Sequence, residues 1–182
     1  MNSTYCEPHA TRATLDLSPA DKHCVFRSGA AWFALPAVSI REISMAPDMV
    51  PVPNCHTAFA GLCHLRSEFI PVIILNALFD FDFTEVPRPN DKLMVIHSHS
   101  PWALRIAEVS ALESIETLVT PEARGDDVNQ TAVIGTCVFR HHLVRVLDPT
   151  RVFRIAQRAL ETFWQSNAAS SRSGCHDIGN LS

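Results

Sequence analysis

Short apolar segments separated by Gly, Pro, Asn and Asp fill most of the first half of the chain. They are rich in β-branched and aromatic residues and span about four to eight positions each, a length typical of strands. The Ser28-Gly29 turn joins the first two segments as a hairpin, and three prolines between residues 47 and 53 predict an extended loop. We therefore predict strands over residues 23–27, 31–35, 38–45, 59–65 and 69–75.

A break in this pattern falls between residues 76 and 92, where FDFTEVPRPNDK combines charges, two prolines and an Asn-Asp turn signal. The second half then repeats the outline of the first, with segments over residues 93–97, 103–108, a run through Ile115, 132–139 and 143–147. The pattern predicts an all-β fold of two small barrels. The first would cover about residues 23–80 and the second about residues 90–148.

One helix is predicted at the end of the chain, over residues 149–165. Asp148 suits the N-cap and Pro149 suits the first helical position. Apolar residues then recur at helical spacing: Val152, Ala156, Ala159, Leu160 and Phe163. Residues 1–22 and 166–182 lack such periodicity and are rich in small and polar residues, so we expect flexible tails at both ends.

Composition and charge narrow the classes of function. An apolar fraction of 47% over 182 residues is enough for a sizeable core. A formal net charge of −4 without a basic cluster argues against nucleic acid as a partner. The first twenty residues contain no apolar signal region, and no run approaches the roughly 18 apolar residues of a membrane span. We expect a cytoplasmic protein with no direct membrane insertion.

The cysteines and the histidines beside them are the candidate metal ligands of the sequence. The six cysteines are scattered without a disulfide framework, so we expect reduced thiols: Cys6, Cys24, Cys55, Cys63, Cys137 and Cys175. Cys55-His56 and Cys63-His64 could supply four zinc ligands on paper. Adjacent residues on a strand point to opposite faces, however, and neither pair has Cys-x-x-Cys spacing. We predict no metal and no cofactor.

No arrangement of catalytic residues is evident. The chain has no Gly-x-Ser-x-Gly elbow and no glycine-rich phosphate loop among its six glycines. Paired acids such as Asp126 and Asp127 fall in predicted loops, where solvated charge is the usual explanation. We predict a protein that is not an enzyme.

Residues 61–67 read GLCHLRS, and residues 70–75 read IPVIIL. These two segments resemble the family segment G-x-x-N-L-R-G-x-x-x-P-V-x-D-L of the CheW-like domains of chemosensory signalling. Residues 41–43 resemble the family's V-x-E-I strand, Pro53 resembles a proline that introduces the next strand, and Gly135 with residues 144–148 resembles its closing strands and helix cap. The chain departs from the pattern at His64, Ser67 and Ile74, as a divergent member would. The resemblance covers residues 22–165.

The resemblance implies two tandem SH3-like five-stranded β-barrels with a C-terminal α-helix. It also implies an adaptor that couples the cytoplasmic tip of a methyl-accepting chemoreceptor to the regulatory domain of a CheA-type histidine kinase. In that family an acid and an arginine pair on adjacent strands beside the receptor-binding groove, and they correspond here to Glu42 and Arg66. Ile40 and Val95 would add apolar contacts in the groove.

Other interpretations stay open on the residues alone. Glu42 and Arg66 would also fit an ordinary cross-strand ion pair, and an Ile or Val in a strand is more often core than interface. A ligand-binding β-barrel has a similar strand pattern, although one Tyr and three Trp make an oligonucleotide ligand a poor fit. A metal-regulated or redox-regulated protein would use Cys55, Cys63 and the histidines beside them.

Overall fold

The structure, a computed structural model, describes residues 22–79, 88–115 and 132–173, with side chains to residue 168. The described strands are β1 (Lys22–Ser28), β2 (Ala31–Pro36), β3 (Ile40–Met45), β4 (Met49–Val50), β5 (Phe59–Leu65), β6 (Glu68–Ile73), β7 (Lys92–Ile96), β8 (Trp102–Ile106), β9 (Glu108–Ser114), β10 (Val133–Phe139) and β11 (His142–Leu147). The helices are α1 (Leu75–Leu78) and α2 (Pro149–Ser173), and a short 3-10 turn covers Ala37–Ser39.

The strands form two sheets. One has five strands in the order β10-β11-β2-β1-β9, and the other has six in the order β3-β7-β8-β6-β5-β4. Every pairing is antiparallel except β11 with β2 and β6 with β8, which are parallel. The predicted fold class is confirmed as a mostly β protein with two sheet units and one C-terminal helix, consistent with SH3-like units, although neither described sheet closes on itself.

The two sheets exchange strands, which corrects the sequential division into barrels over residues 23–80 and 90–148. Strands β1 and β2 pair with β9 and β11 from the second half, whereas β3 pairs with β7. The apolar pattern identified the strands but not this arrangement. Local turn chemistry fixes which strands form hairpins, whereas a strand that crosses to another sheet is placed by contacts distant in sequence. The predicted boundary segment, residues 76–92, overlaps α1 and the start of β7, and residues 80–87 lie outside the described residues.

Helix α2 begins where the sequence predicted. The Asp148 carboxylate accepts hydrogen bonds from the backbone N–H groups of Thr150 and Arg151, at 2.8 and 3.1 Å. Its buried face carries Val152 and Ala156. The helix ends at Ser173 rather than at residue 165, so the predicted tail is wrong for residues 166–173; no glycine or proline interrupts the helix before Gly174. Residues 1–21 and 174–182, the rest of the predicted tails, lie outside the described residues.

The main core joins both sheets to α2. It contains Phe26 and Phe33 from the five-stranded sheet, Trp102 and Leu104 from the six-stranded sheet, and Val152 from the helix. Two smaller apolar clusters lie within the separate sheets. Because the sheets share one dry core, their relative position is fixed by packing rather than by a linker.

A polar contact reinforces this junction between the sheets. Asn76 of α1 is buried beside the turn that joins β1 to β2. With its amide oriented to satisfy both polar atoms, the side-chain nitrogen donates to the Ser28 carbonyl at 2.8 Å and the oxygen accepts from Gly29 N–H at 3.2 Å. A buried amide satisfied in this way links the end of one sheet to the first hairpin of the other.

The β5–β6 and β10–β11 hairpins are built alike. Their registers correspond residue by residue, including a bulge that precedes the pairs Gly61–Val72 and Gly135–Val146. Their two-residue turns also match, with φ of 47° and 70° in the first and 47° and 69° in the second. Both turns therefore have the left-handed geometry of a type I′ hairpin without a glycine. The two sheets are related by an approximate internal symmetry.

The symmetry extends to the strands that cross between the sheets. Strand β3 has a bulge at residue 41 opposite β7, and β9 has a bulge at residue 110 opposite β1. Val95 of β7 and Val25 of β1 occupy equivalent positions. Val95 pairs with Ala103, which also pairs with β6, and Val25 pairs with Ala34, which also pairs with β11. Positions in one sheet therefore have counterparts in the other: Arg41 and Ser110, Glu42 and Ala111, Arg66 and Arg140, Glu68 and His142.

Candidate functional site

Glu42 and Arg66 form an ion pair, with 2.7 Å between Glu42 Oε2 and Arg66 Nη2. Glu42 lies on β3 at one edge of the six-stranded sheet, and Arg66 lies in the turn between β5 and β6. The strands involved are not neighbours in the sheet, which corrects the expectation of adjacent strands. Glu42 is reached by the tip of the hairpin and not by ladder pairing. The pair bridges a gap instead of setting the register of two strands.

The two members of the pair differ in exposure. The Arg66 side chain is 69% exposed and the Glu42 side chain only 19%. Glu42 Oε1 is buried and has no hydrogen-bond partner among the described residues. A buried carboxylate oxygen without a hydrogen bond lowers the free energy of unfolding. Glu42 therefore contributes less to stability than a carboxylate with both oxygens bonded. Arg66 is the member of the pair that faces solvent.

A second ion pair crosses the same gap. Arg41 Nη1 lies 3.0 Å from Glu68 Oε2, and both side chains are partly exposed. Two consecutive residues of a regular strand would point to opposite faces. The bulge at residue 41 changes this alternation, and both Arg41 and Glu42 reach the β5–β6 hairpin. We refer to Arg41, Glu42, Arg66 and Glu68 as the four-charge cluster.

A recess of about 190 Å³ borders the four-charge cluster. Its walls are Arg41 and Glu68 on one side and residues 96–99 and Pro101 on the other. The His97 N–H donates to the Ser39 carbonyl at 2.7 Å, which fixes the chain beyond β7 against the 3-10 turn before β3. This backbone hydrogen bond fixes one wall of the recess, whose volume is enough for a single side chain of another molecule.

The two apolar candidates differ from the prediction. Val95 has no exposed surface and packs with Cys63, Ile70 and Leu93 in the core of the six-stranded sheet. Val95 therefore presents no surface for the predicted contact in the structure, because both faces of β7 are covered. Ile40 is half-buried against the main core and retains some exposed surface beside the four-charge cluster.

The two Cys-His pairs do not converge. Cys63 is fully buried, and His64 points the other way and packs on Phe69 with ring centroids 5.1 Å apart. His56 Nδ1 accepts a hydrogen bond from the Ala58 N–H at 3.1 Å. Within residues 22–79, 88–115 and 132–173, no group of three or more His, Cys, Asp and Glu side chains is arranged to hold a metal ion.

The buried thiols are poor nucleophiles. Burial raises the pKa of the Cys24 thiol to about 11. Burial also raises the pKa of Cys63 and Cys137, and at Cys63 backbone hydrogen bonds oppose the effect in part. Since the thiolate is the reactive form, these three side chains act as small apolar core residues at neutral pH.

Known proteins resemble this chain both in sequence pattern and in fold. The family model described as CheW-like domain matches residues 22–157. The chain belongs to the CheW-like domain family. The CheW-like fold is similar to that of the scaffolding protein TtCheW from Thermoanaerobacter tengcongensis, with a TM-score of 0.62 and 18% identity over 74% of this chain and 92% of that chain. No curated protein sequence matches significantly.

The comparisons agree with the resemblance that residues 61–75 suggested. At 18% identity the structural likeness concerns the fold alone. None of the helices in the described part of this CheW-like chain has the length and apolarity that a membrane span requires.

Sequence reasoning missed the Arg41–Glu68 pair. The sequence does contain an indication of this pair, because each of the two segments carries one arginine and one glutamate. These are Arg-Glu at residues 41–42 and Arg-Ser-Glu at residues 66–68. Alternation in a regular strand would place Arg41 and Glu42 on opposite faces, so the sequence pattern alone does not predict a shared site. Only the bulge brings the two patterns together.

Proposed function

We propose that this chain is a cytoplasmic adaptor that couples a methyl-accepting chemoreceptor to a CheA-type histidine kinase by binding alone. Membership of the CheW-like family over residues 22–157 is the observation that carries the proposal. The receptor's cytoplasmic tip would bind beside the Glu42–Arg66 pair, and the kinase's regulatory domain would bind elsewhere on the two sheets. No cofactor and no catalytic step is required.

The geometry of the pair supports a division of roles. Glu42, mostly buried, holds the guanidinium of Arg66, and Arg66 presents its remaining N–H groups to solvent. Ile40 would add an apolar contact beside them, while buried Val95 supports β3 from its register position opposite Glu42. A guanidinium held at one nitrogen loses less freedom on binding, which favours charge-assisted hydrogen bonds with a partner.

Signal transfer through such an adaptor needs a difference in contact free energy between signalling states. Coupling free energies of about 1 to 3 kcal/mol are typical, and interfaces of moderate strength can supply them. A rigid body serves this purpose, because displacement at one interface is then transmitted to the other. The shared core between the sheets and the Asn76 contact supply such rigidity.

The first test replaces Arg66 with Ala and measures binding to a purified receptor cytoplasmic fragment and to a CheA-type regulatory domain. Because Arg66 is mostly exposed, we expect a stability loss of about 1 kcal/mol or less. Receptor affinity should fall by about tenfold or more, since an interface arginine loses charge-assisted hydrogen bonds. Kinase affinity should change less.

The chain supplies its own matched control. Arg140 occupies the equivalent turn position, with the same φ of 47°. Its guanidinium lies 5.0 Å from the Phe139 ring centroid, and it forms no ion pair with an acid of the described residues. Arg140→Ala should leave receptor affinity unchanged. If Arg66→Ala unfolds the chain and the Glu42→Arg/Arg66→Glu swap restores folding and receptor affinity, the pair is structural and the binding role is refuted.

A further inference from the structure

The four-charge cluster contains more charge than its backbone geometry requires. The counterpart positions in the other sheet have the same bulge and the same turn angles, and they carry Ser110, Ala111, Arg140 and His142. His142 there stacks on Trp32 with ring centroids 4.8 Å apart. The fold therefore makes a bulge and a type I′ turn of this shape without a pair of acids. We infer that the extra charges are there for recognition.

The basic members of the cluster have N–H donors beyond those engaged by their ion pairs with described residues. A guanidinium carries five N–H groups, and the ion pairs engage one nitrogen of Arg66 and one of Arg41. Glu42, the acid opposite Arg66, is mostly buried and cannot be displaced easily. Glu68, the acid opposite Arg41, is 47% exposed and belongs to the edge of a hairpin tip. The Arg41–Glu68 pair is the exchangeable one.

We propose that Arg41 is a second carboxylate-recognising residue of the receptor-binding surface, and that Glu68 is its internal competitor. The proposal rests on the function given above and extends it to the chemistry of the partner. In the free chain, Glu68 forms an ion pair with Arg41 beside the recess of about 190 Å³. A partner segment with acidic side chains places one carboxylate on Arg66 and another in the recess on Arg41, and Glu68 turns to solvent.

This arrangement makes Glu68 a specificity element. A neutral partner side chain gains too little from Arg41 to replace an ion pair that already exists, whereas a carboxylate exchanges one charge-assisted contact for another. The net charge of the cluster is zero in the free chain, because two arginines face two glutamates. Non-specific attraction of anions is thereby reduced, and only a correctly placed acidic segment is bound.

The decisive experiment compares Arg41→Gln with Glu68→Gln in the full chain. The probe is a purified chemoreceptor cytoplasmic fragment, and affinity is measured by calorimetry at low and high salt. Arg41→Gln should weaken binding by about tenfold. Glu68→Gln should strengthen it by about threefold or more, because the competitor is removed while the cation stays. The gain should shrink at high salt.

Control variants separate recognition from folding. Arg41→Lys keeps the charge and should bind better than Arg41→Gln. The Arg41→Glu/Glu68→Arg swap should recover the melting temperature of the wild type yet bind weakly, because the cation has moved. His142→Gln and Ser110→Ala, at the counterpart positions, should leave receptor affinity unchanged.

The outcomes distinguish this proposal from the one on which it rests. If Glu68→Gln weakens binding as much as Arg41→Gln, the pair is a shared structural contact and the competitor role is overturned, while the Arg66→Ala result still decides the adaptor function. If the wild-type chain binds neither the receptor fragment nor the kinase domain, the adaptor function fails and this inference fails with it.

Discussion

The hairpins β5–β6 and β10–β11 have the same backbone and use their tips differently. At the β10–β11 tip, Arg140 lies over the ring of Phe139 and His142 stacks on Trp32, so both side chains stay within their own sheet. At the β5–β6 tip, Arg66 and Glu68 reach across to the edge strand β3. The two hairpins share their backbone and the turn arginine, whereas the acids Glu42 and Glu68 have no acidic counterparts in the other sheet. The comparison therefore separates the residues that a hairpin requires from those that a binding surface requires.

Among the described strands, a second difference concerns the outer edges of the two hairpins, because β5 has an outer neighbour and β10 does not. Strand β4 covers the edge of β5, with Met49 opposite Cys63 and Val50 opposite Leu62. Gly61 has a φ of 134°, and a Cβ there would lie 2.4 Å from the Val50 carbonyl oxygen. Gly135, its counterpart, does not have a positive φ. The glycine in β5 thus permits the close approach of a further strand.

The largest expected effect therefore comes from alanine at the two glycines. Gly61→Ala should cost about 2 to 5 kcal/mol, because it adds backbone strain and a clash with the Val50 carbonyl. Gly135→Ala should cost about 1 kcal/mol. Urea unfolding of the two variants measures the difference directly. Equal losses would contradict the asymmetry of the two edges.

An intermediate effect is expected at the second turn position. Ser67 and His141 have φ of 70° and 69°, a region that favours glycine. Replacing either with Gly should stabilise the chain by about 0.5 to 1 kcal/mol and raise the melting temperature by about 2 to 4 °C. The two gains should be equal if the turns are equivalent. A gain at His141 alone would indicate that the ion pairs of Arg66 and Glu68 already hold the first turn.

The smallest expected effect is a difference in thiol reactivity between Cys63 and Cys137. These are counterparts, 0% and 5% exposed, and β4 covers only the first. Native-state alkylation followed by mass spectrometry should label Cys137 about a few times faster. Burial raises the pKa of both thiols from 9.0, so both rates should still be rising with pH above that value. Equal native rates, with equal labelling in urea, would show that the covering strand gives no protection.

Local features of the fold were predictable from sequence. Asp148 and Pro149 marked the start of α2, because a cap acts through backbone groups two or three residues away. The exchange of strands was not predictable. It depends on the direction that the chain takes after the β1–β2 hairpin, where β3 begins, and after the β7–β8 hairpin, where β9 begins. The sequence left Val95 open between core and contact surface, because β7 is apolar on both faces and so shows no alternation.

The candidate site was predictable in part, and through resemblance rather than through physical pattern. The family segment pointed to Glu42 and Arg66, and these two side chains do meet. Arg41 and Glu68 lay outside that reasoning because a bulge of one residue has no signature in the alternation of apolar and polar positions. Long-range geometry, not residue type, determines which charges share a surface.

The exchange of strands also sets the order in which the chain can fold during synthesis. The six-stranded sheet is complete once Ile106 has left the ribosome, whereas the five-stranded sheet waits for Leu147. Until then β1 and β2 have, among the described strands, only each other and then β9 as partners, and the rings of Phe26 and Phe33 lack part of their cover. A nascent chain halted before β10 would expose the β1–β2 hairpin to chaperones or to aggregation, and β10 and β11 complete the sheet to which this hairpin belongs.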